Sequence, residues 1–280
     1  MMPRQRLLRG AGLFAAGACL FLALTYLLFP TGRINAIIAQ VLAGQGLSLT
    51  PGARKTLLPG LSWNKPQLSS EQGALVRCDR LKVRLELLPL LTGRIVLDAA
   101  AAIGPGRLDL EYGITGAKAL DLKAAGIGLS DIPFFKTVLG ASAGGILWSE
   151  GAVRRSAKGL NGELKLEVKQ LEFSGVKLGA FPLPDVHDLS SQGMLRVTNG
   201  RLRLESFTLQ GEGIYMRLSG AIPTGANAAI QPLDLTLEIM PKPEFLEKQK
   251  LVFMLLTKFM ASPGVYRVPI RGTLLKPVVL

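Results

Sequence analysis

Histidine and cysteine are nearly missing from this chain: 280 residues contain one histidine and two cysteines. A structural zinc site takes four Cys or His ligands and a catalytic one takes three, and no such set can be assembled here at ligand spacing. The cysteines, Cys19 and Cys78, lie in an apolar N-terminal run and in an extended stretch far from it. No disulfide between them is expected. Neither GxSxG, HExxH, a P-loop nor CxxC occurs, and no Asn-x-Ser/Thr sequon is present. Aromatic residues are only 6%, too few for a base-stacking platform. The basic residues give a net charge of +13 and a pI near 10, yet they are spread singly, with no run of five or six. That pattern disfavours a nucleic-acid module and suits anionic lipid or a basic partner-binding face. The one histidine, His187, stands in "PLPDVHDLSS" with Asp185 and Asp188. With no second ligand cluster it reads as part of a solvated, proline-rich loop. Trp63 and Trp148 read as packing residues. No enzyme and no cofactor is expected.

Long apolar runs are also scarce, with one exception. Residues 10–29 carry no charge, and about 20 apolar residues suffice to cross a hydrocarbon core. Tyr26 stands near the far end, where an amphipathic ring favours the interface. Arg4, Arg6 and Arg9 before the run outnumber Arg33 after it, so the N-terminus is expected in the cytoplasm and the rest of the chain outside. A cleaved signal peptide would need a small-x-small site; only "LTYLLFPTG" follows the apolar core. A lipoprotein box ending at Cys19 is weaker still, since the run continues for ten residues past it. A retained anchor is the reading. After it, "INAIIAQVLAGQG" places Ile34, Ile37, Ile38, Val41 and Leu42 at helical spacing. That helix could lie on the membrane, but packing against a sheet edge is favoured. The expected organisation is a basic tail (1–9), an anchor (10–29), an amphipathic helix (30–46) and a periplasmic β-rich domain (47–280).

From there the pattern has period two. Leu81, Val83 and Leu85 alternate with Arg80, Lys82, Arg84 and Glu86; Leu164, Leu166 and Val168 with Lys165, Glu167 and Lys169; Tyr266, Val268 and Ile270 close the chain. "GPG" at 104–106 turns one strand into the next. Such spacing predicts an all-β, antiparallel architecture. Two helical interruptions are expected: "LSDIPFFKTVLG", with Ser130 as N-cap and Pro133 in the first turn, and a helix from about Glu244 to Met260. The middle of the second, Leu251 to Leu256, is apolar nearly all round, so it should be well buried or inserted in a groove.

The stretch "NGRLRLESFTLQGEGIYMRLSGAI" (199–222) carries the sharpest local prediction. Asn199-Gly200 is a type I′ hairpin signal. It sets Val197 opposite Leu202 and Leu195 opposite Leu204 on one face, with Arg196 opposite Arg203 on the other. Apolar parity then switches before Phe207, which predicts a bulge near Ser206. "QGEG" could be a ligand-holding glycine loop, but a phosphate site requires a helix after it, and a β-pattern follows. It reads as a second turn, with either Gly211-Glu212 or Glu212-Gly213 at its centre. Leu195, Val197, Leu202, Leu204, Phe207 and Leu209 are therefore the candidate apolar packing face or groove.

Taken in order, several segments resemble a known family. "INAIIAQVLAGQGLSL", "LLPGLSWNKPQLSS" and "DRLKVRLELLPLLTGRIVLDA" are similar to the opening of AsmA-like envelope proteins. "GIGLSDIPFFKTVLG", "FPLPDVHDLSSQGMLRVTNGRLRLESFTLQGEGIYMRLSGAI", "LDLTLEIMPKPEFLEK" and "YRVPIRGTLLKPVVL" resemble the type II secretion system protein N family. The resemblance implies an inner-membrane-anchored, periplasmic, non-enzymatic part of the general secretion pathway. Its expected fold is an elongated, curved antiparallel sheet, a groove or open sandwich, with a few short covering helices. Expected partners are the membrane, through a single-pass anchor, and other secretion-system envelope proteins; no nucleic acid is expected. Because AsmA-like folds are related to β-groove lipid carriers, a lipid-handling groove is the competing implication. What covers the apolar face discriminates the two.

Overall fold

The computed structural model describes residues 31–279 except 57–58, 179–180 and 226, together with residues 16, 17, 20, 21 and 24, which are helical. The expected tail (1–9) and most of the expected anchor (10–29) thus lie outside the described residues. Among the described residues no helix is long and apolar enough to cross a membrane.

Helix α1 (Thr31–Ala43) forms where the spacing predicts it. Ile34 and Ile38 pack against the buried cluster of Ala53, Leu61 and Trp63, against which Leu81 and Val83 also pack. Asn35 locks the contact, its Nδ2 donating to the Ala53 carbonyl (3.2 Å) and its Oδ1 accepting from the Ala53 N–H (3.0 Å). Ile37 and Val41 point away and are exposed, so only one side of the apolar stripe is used on the sheet edge.

The chain continues through β1 (Leu47–Thr50), β2 (Arg54–Lys55), β3 (Gly60–Asn64), β4 (Gln67–Ser70), β5 (Gly73–Arg77) and β6 (Arg80–Leu85). A one-turn helix α2 (Leu87–Leu90) leads to β7 (Val96–Ile103), β8 (Gly106–Gly113) and β9 (Lys118–Gly128). After α3 (Phe134–Leu139) come β10 (Ser142–Ser156), β11 (Gly159–Ser174), the small pair β12 (Lys177–Leu178) and β13 (Phe181–Pro182), then β14 (Val186–Thr198), β15 (Arg201–Gly211), β16 (Ile214–Ile222) and β17 (Asp234–Pro241). Helices α4 (Pro243–Lys248) and α5 (Lys250–Leu256) precede β18 (Met260–Ser262), β19 (Val265–Gly272) and β20 (Pro277–Val279).

The molecule is mainly β, as the period-two pattern requires. One 15-stranded antiparallel sheet runs β2-β3-β6-β7-β8-β9-β10-β11-β14-β15-β16-β17-β19-β18, with β20 also on β19; β1, β4 and β5 form a separate small sheet. Chain neighbours are mostly sheet neighbours, so most pairings close through short turns at low entropic cost. A sheet this wide twists, and register shifts on β10, β11, β14 and β15 bend its longest strands.

The Asn199-Gly200 hairpin has the expected register, Val197↔Leu202, Leu195↔Leu204 and Arg196↔Arg203. Both turn residues have positive φ (52° and 79°), as a type I′ turn demands. The bulge falls between Leu204 and Phe207. Of the two registers open for "QGEG", the structure takes Glu212-Gly213 as the loop, with Gly211↔Ile214, Leu209↔Met216 and Phe207↔Leu218. Gly213 has φ +86°, and a Cβ there would press on the Phe245 side chain at 3.0 Å.

Three expectations are corrected. Ser130 does not cap α3: it lies in a 3₁₀ turn (Leu129–Asp131), and Pro133 occupies the N-cap without a side-chain hydrogen bond. The cause is Ile132, which precedes proline and is held extended (φ −101°, ψ 101°) by the clash with the proline ring. The helix expected over 244–260 is broken at Gln249 into α4 and α5 and finishes in a 3₁₀ turn, Thr257–Phe259. Finally, 251–256 is not buried all round. Phe253 and Leu256 insert, while Leu251, Met254 and Leu255 are exposed, because a single short helix laid on a sheet has one inward face.

The main core sits beneath these helices. Leu235, Leu237 and Ile239 of β17 and Tyr266, Val268 and Ile270 of β19 meet Phe253 and Leu256 there. Phe253 lies 5.2 Å from Tyr266 and 6.2 Å from Phe245, ring centre to ring centre. Ile239 is 0% exposed. Ile239→Ala should cost about 2–5 kcal/mol through lost burial and a residual cavity, whereas Leu251→Ala, on the open side of α5, should stay within about 0.5 kcal/mol. Urea unfolding followed by circular dichroism checks both; equal losses would contradict this placement of the core.

Candidate functional site

Register carries the apolar face across the whole sheet. Leu61, Val83, Ala99, Leu110 and Leu122 face one another across β3, β6, β7, β8 and β9. The row continues through Gly151, Leu164, Leu195, Leu204 and Gly220 to Leu235 and Ile270. A second row beside it passes through Leu97, Tyr112, Leu120, Val153, Gly162, Val197, Leu202 and Ile222. With strands about 4.8 Å apart, the first row runs about 50 Å perpendicular to the chain direction.

The opposite face is charged, and along one row its charges alternate across strands. Asp109 faces Lys123, Lys123 faces Glu150, and Glu150 faces Lys165. Further along, Arg217 faces Glu238, which takes a hydrogen bond from Arg267 Nε at 3.0 Å. Lys118 reaches Glu111 at 2.6 Å and Asp121 at 3.2 Å. The hydrogen bond to Glu111 is the main reason the lysine pKa is raised; burial, next in size, opposes it, and the hydrogen bond to Asp121 adds to the rise. Opposite charges in register favour the antiparallel pairing. Like charges also face one another, at Asp98, Glu111 and Asp121 on successive strands, and at Arg196 and Arg203, where Arg196 is compensated by Glu163 (3.0 Å) and Glu205 (3.7 Å). Trp148 lies on this charged face under Lys169, whose Nζ is 4.9 Å from the ring centre, and Trp63 is buried against α1.

Cover on the apolar face is uneven. Helix α1 covers the β3–β6 end, and α4 and α5 cover the β16–β19 end. Between them, Leu110, Leu122, Leu164, Leu195, Val197 and Leu202 are half-buried and belong to none of the three buried clusters. The six residues singled out from sequence thus divide. Leu209 is in the main core, with Phe207 packed against it, and Leu204 is buried. Leu195, Val197 and Leu202 stay in the part-covered middle. The alternation of Leu164, Leu166 and Val168 was read from sequence, but Leu110 and Leu122 were not placed on the stripe; their period-two spacing in "RLDLEY" and "ALDLK" was the available signal.

Other candidates do not assemble. His187 opens strand β14 instead of lying in a loop, is 70% exposed and approaches Glu172 at 3.8 Å. Asp185 accepts from the Gly175 N–H at 2.8 Å. Among the described residues no group of three or more His, Cys, Asp or Glu could hold a metal ion. Cys78 is half-buried beside Ile103 and Ile127. Burial, and after it the Asp79 charge, pushes its thiol pKa upward, away from the reactive thiolate. Comparison with protein-family models, with curated proteins and with solved structures found no match.

In a Cys19→Ser chain at pH 8, Cys78 should react with a thiol-specific disulfide reagent more slowly than free cysteine. Full denaturant should erase the difference. Equal rates in the folded chain would mean that the thiol is not shielded.

Proposed function

We propose that this chain is a non-enzymatic, inner-membrane-anchored periplasmic component of the type II, or general, protein secretion system, built on an AsmA-like sheet and acting through contacts with other envelope proteins. The sequence resemblance motivates this reading. The observation that carries it is the sheet itself: one apolar face and one charged face, continuous across its width, in a chain that also holds a 20-residue uncharged run. The alternating charges of Asp109, Lys123, Glu150 and Lys165 give a partner protein a patterned polar surface, and such patterning selects partners more than it adds raw affinity.

A second reading, lipid handling, draws on the half-buried middle of the apolar face. From Leu110 on β8 to Leu202 on β15 it spans six strands, about 24 Å at the usual strand spacing. An acyl chain occupies about 15 Å of one leaflet, so the stripe is long enough to hold one.

Photo-crosslinkers placed at Leu164 (apolar stripe) and Lys165 (charged face) in intact cells separate the two. Secretion-subunit adducts from Lys165 are the expected result of the first reading. Lipid adducts from Leu164 are the expected result of the second. Only lipid from both positions would sink the first; only protein from both would sink the second.

A further inference from the structure

The connection between β6 and β7 is an exposed cluster of large aliphatic residues. Leu88 and Leu91 are 79% and 84% exposed, and Leu87, Leu90 and Ile95 are each more than a third exposed. The neighbouring β8–β9 turn adds Ile114 and Tyr112, also exposed. The two are tied together: Ile95 N–H donates to Thr115 Oγ1 (2.8 Å) and Ile114 N–H to the Ile95 carbonyl (2.9 Å). A soluble surface normally keeps such residues scattered.

This connection is not a loose loop. Leu91 N–H donates to the Leu88 carbonyl, Thr92 and Arg94 N–H to that of Pro89, and Gly93 N–H to that of Leu90, all within 3.0–3.2 Å. Thr92 Oγ1 donates to the Pro89 carbonyl (2.9 Å) and accepts from Arg94 Nε (3.1 Å). From Leu91 to Ile95 every backbone N–H is hydrogen-bonded, four of the five within the turn itself, while its large aliphatic side chains face out. Pairing in this half of the turn lowers the cost of entering an apolar medium, where unpaired backbone groups are costly. A protein-docking patch would instead offer polar groups at its rim.

Position and charge specify the medium. Strand β6, which runs directly into the turn, pairs its Val83 with Leu61, one of the cluster residues on which α1 packs. Helix α1 begins at Thr31, right after the uncharged run 10–29. Five residues separate Val83 from Leu88, about 17 Å of extended chain, so the turn lies close to the helix that follows the anchor. The outward Ile37 and Val41 of α1 are exposed at the same end of the sheet. Arg94 is the only charged residue from Leu87 to Ile95, and a basic side chain at an interface extends toward anionic headgroups.

We propose that the Leu87–Ile95 turn inserts into the near leaflet of the membrane that anchors the chain, fixing the first strands of the sheet, and with them the start of the apolar face, at the lipid surface. The proposal rests on reading 10–29 as the anchor. It is tested on the full chain in vesicles of phosphatidylethanolamine and phosphatidylglycerol, in a Cys19→Ser/Cys78→Ser background. An environment-sensitive fluorophore is attached at Leu88→Cys, at Leu91→Cys, or at Lys158→Cys on an exposed turn as control. Nitroxides on the acyl chains should quench the Leu88 and Leu91 labels several-fold more than the Lys158 label, and aqueous iodide should show the reverse order. If all three labels behave alike, the proposal is overturned. A photo-crosslinker at Leu88 that captures a protein in intact cells instead of lipid also overturns it. Alkaline extraction of the same vesicles tests the anchor separately. A chain that washes out defeats both readings, whereas one that stays with an aqueous Leu88 defeats the insertion alone.

Discussion

Side-chain parity is the constraint on which this structure depends. In a strand, successive residues point to opposite faces, so a one-residue slip anywhere would move every later apolar side chain to the wrong side. Here parity must survive from Leu61 on β3 to Ile270 on β19. It survives because the connections are tight and because extra residues are absorbed in bulges. The bulge between Leu204 and Phe207 is the clearest case. Leu202 and Leu204 occupy one parity of β15 and Phe207 and Leu209 the other, yet all four reach the same face. Without that bulge Phe207 and Leu209 would face the charged side, and the main core would lose its contribution from β15.

The same constraint separates the two faces electrostatically. Since parity holds, the residues between the leucines also align, and from Asp109 to Lys165 they align as alternating carboxylates and amines. These exposed pairs each contribute little. Their value lies in discrimination, because a shifted pairing would set like charges opposite and apolar groups in water. Arg196 and Arg203 show the tolerance of the arrangement: a like pair persists where Glu163 and Glu205 flank it.

How the apolar face is covered then divides the molecule by role. Where α4, α5 and the segment around Leu233 lie on it, side chains reach full burial and hold the sheet. Where no core cluster forms, from Leu110 to Leu202, the face retains exposed apolar surface that the fold itself does not use. The molecule offers two further kinds of surface, the charged ladder and the leucine turn at 87–95. On the proposed reading of an envelope component held at a bilayer, these three would suit an apolar ligand or partner, a polar partner and the membrane. Among the described residues no group of three or more His, Cys, Asp or Glu could hold a metal ion.

Much of this was legible in the residues themselves. Period-two alternation gave the mainly-β class, the dipeptide Asn199-Gly200 gave both turn type and register, and the parity switch before Phe207 located the bulge. These are local properties, decided by φ/ψ preference and by neighbours a few residues apart. The choice of Glu212-Gly213 over Gly211-Glu212 was not legible, since both registers put apolar on apolar; the packing of Phe245 over Gly213 is a contact between residues far apart in sequence. Nor was the break at Gln249, because helix propensity does not know that Phe253 and Leu256 must reach Tyr266. The sequence by itself determined which residues are apolar, in what period, and hence that a two-faced sheet forms. Only the tertiary structure decided which part of that face is sealed and which is left part-open, because cover depends on where helices dock, and docking is set by shape and contact across the sheet, not by local pattern.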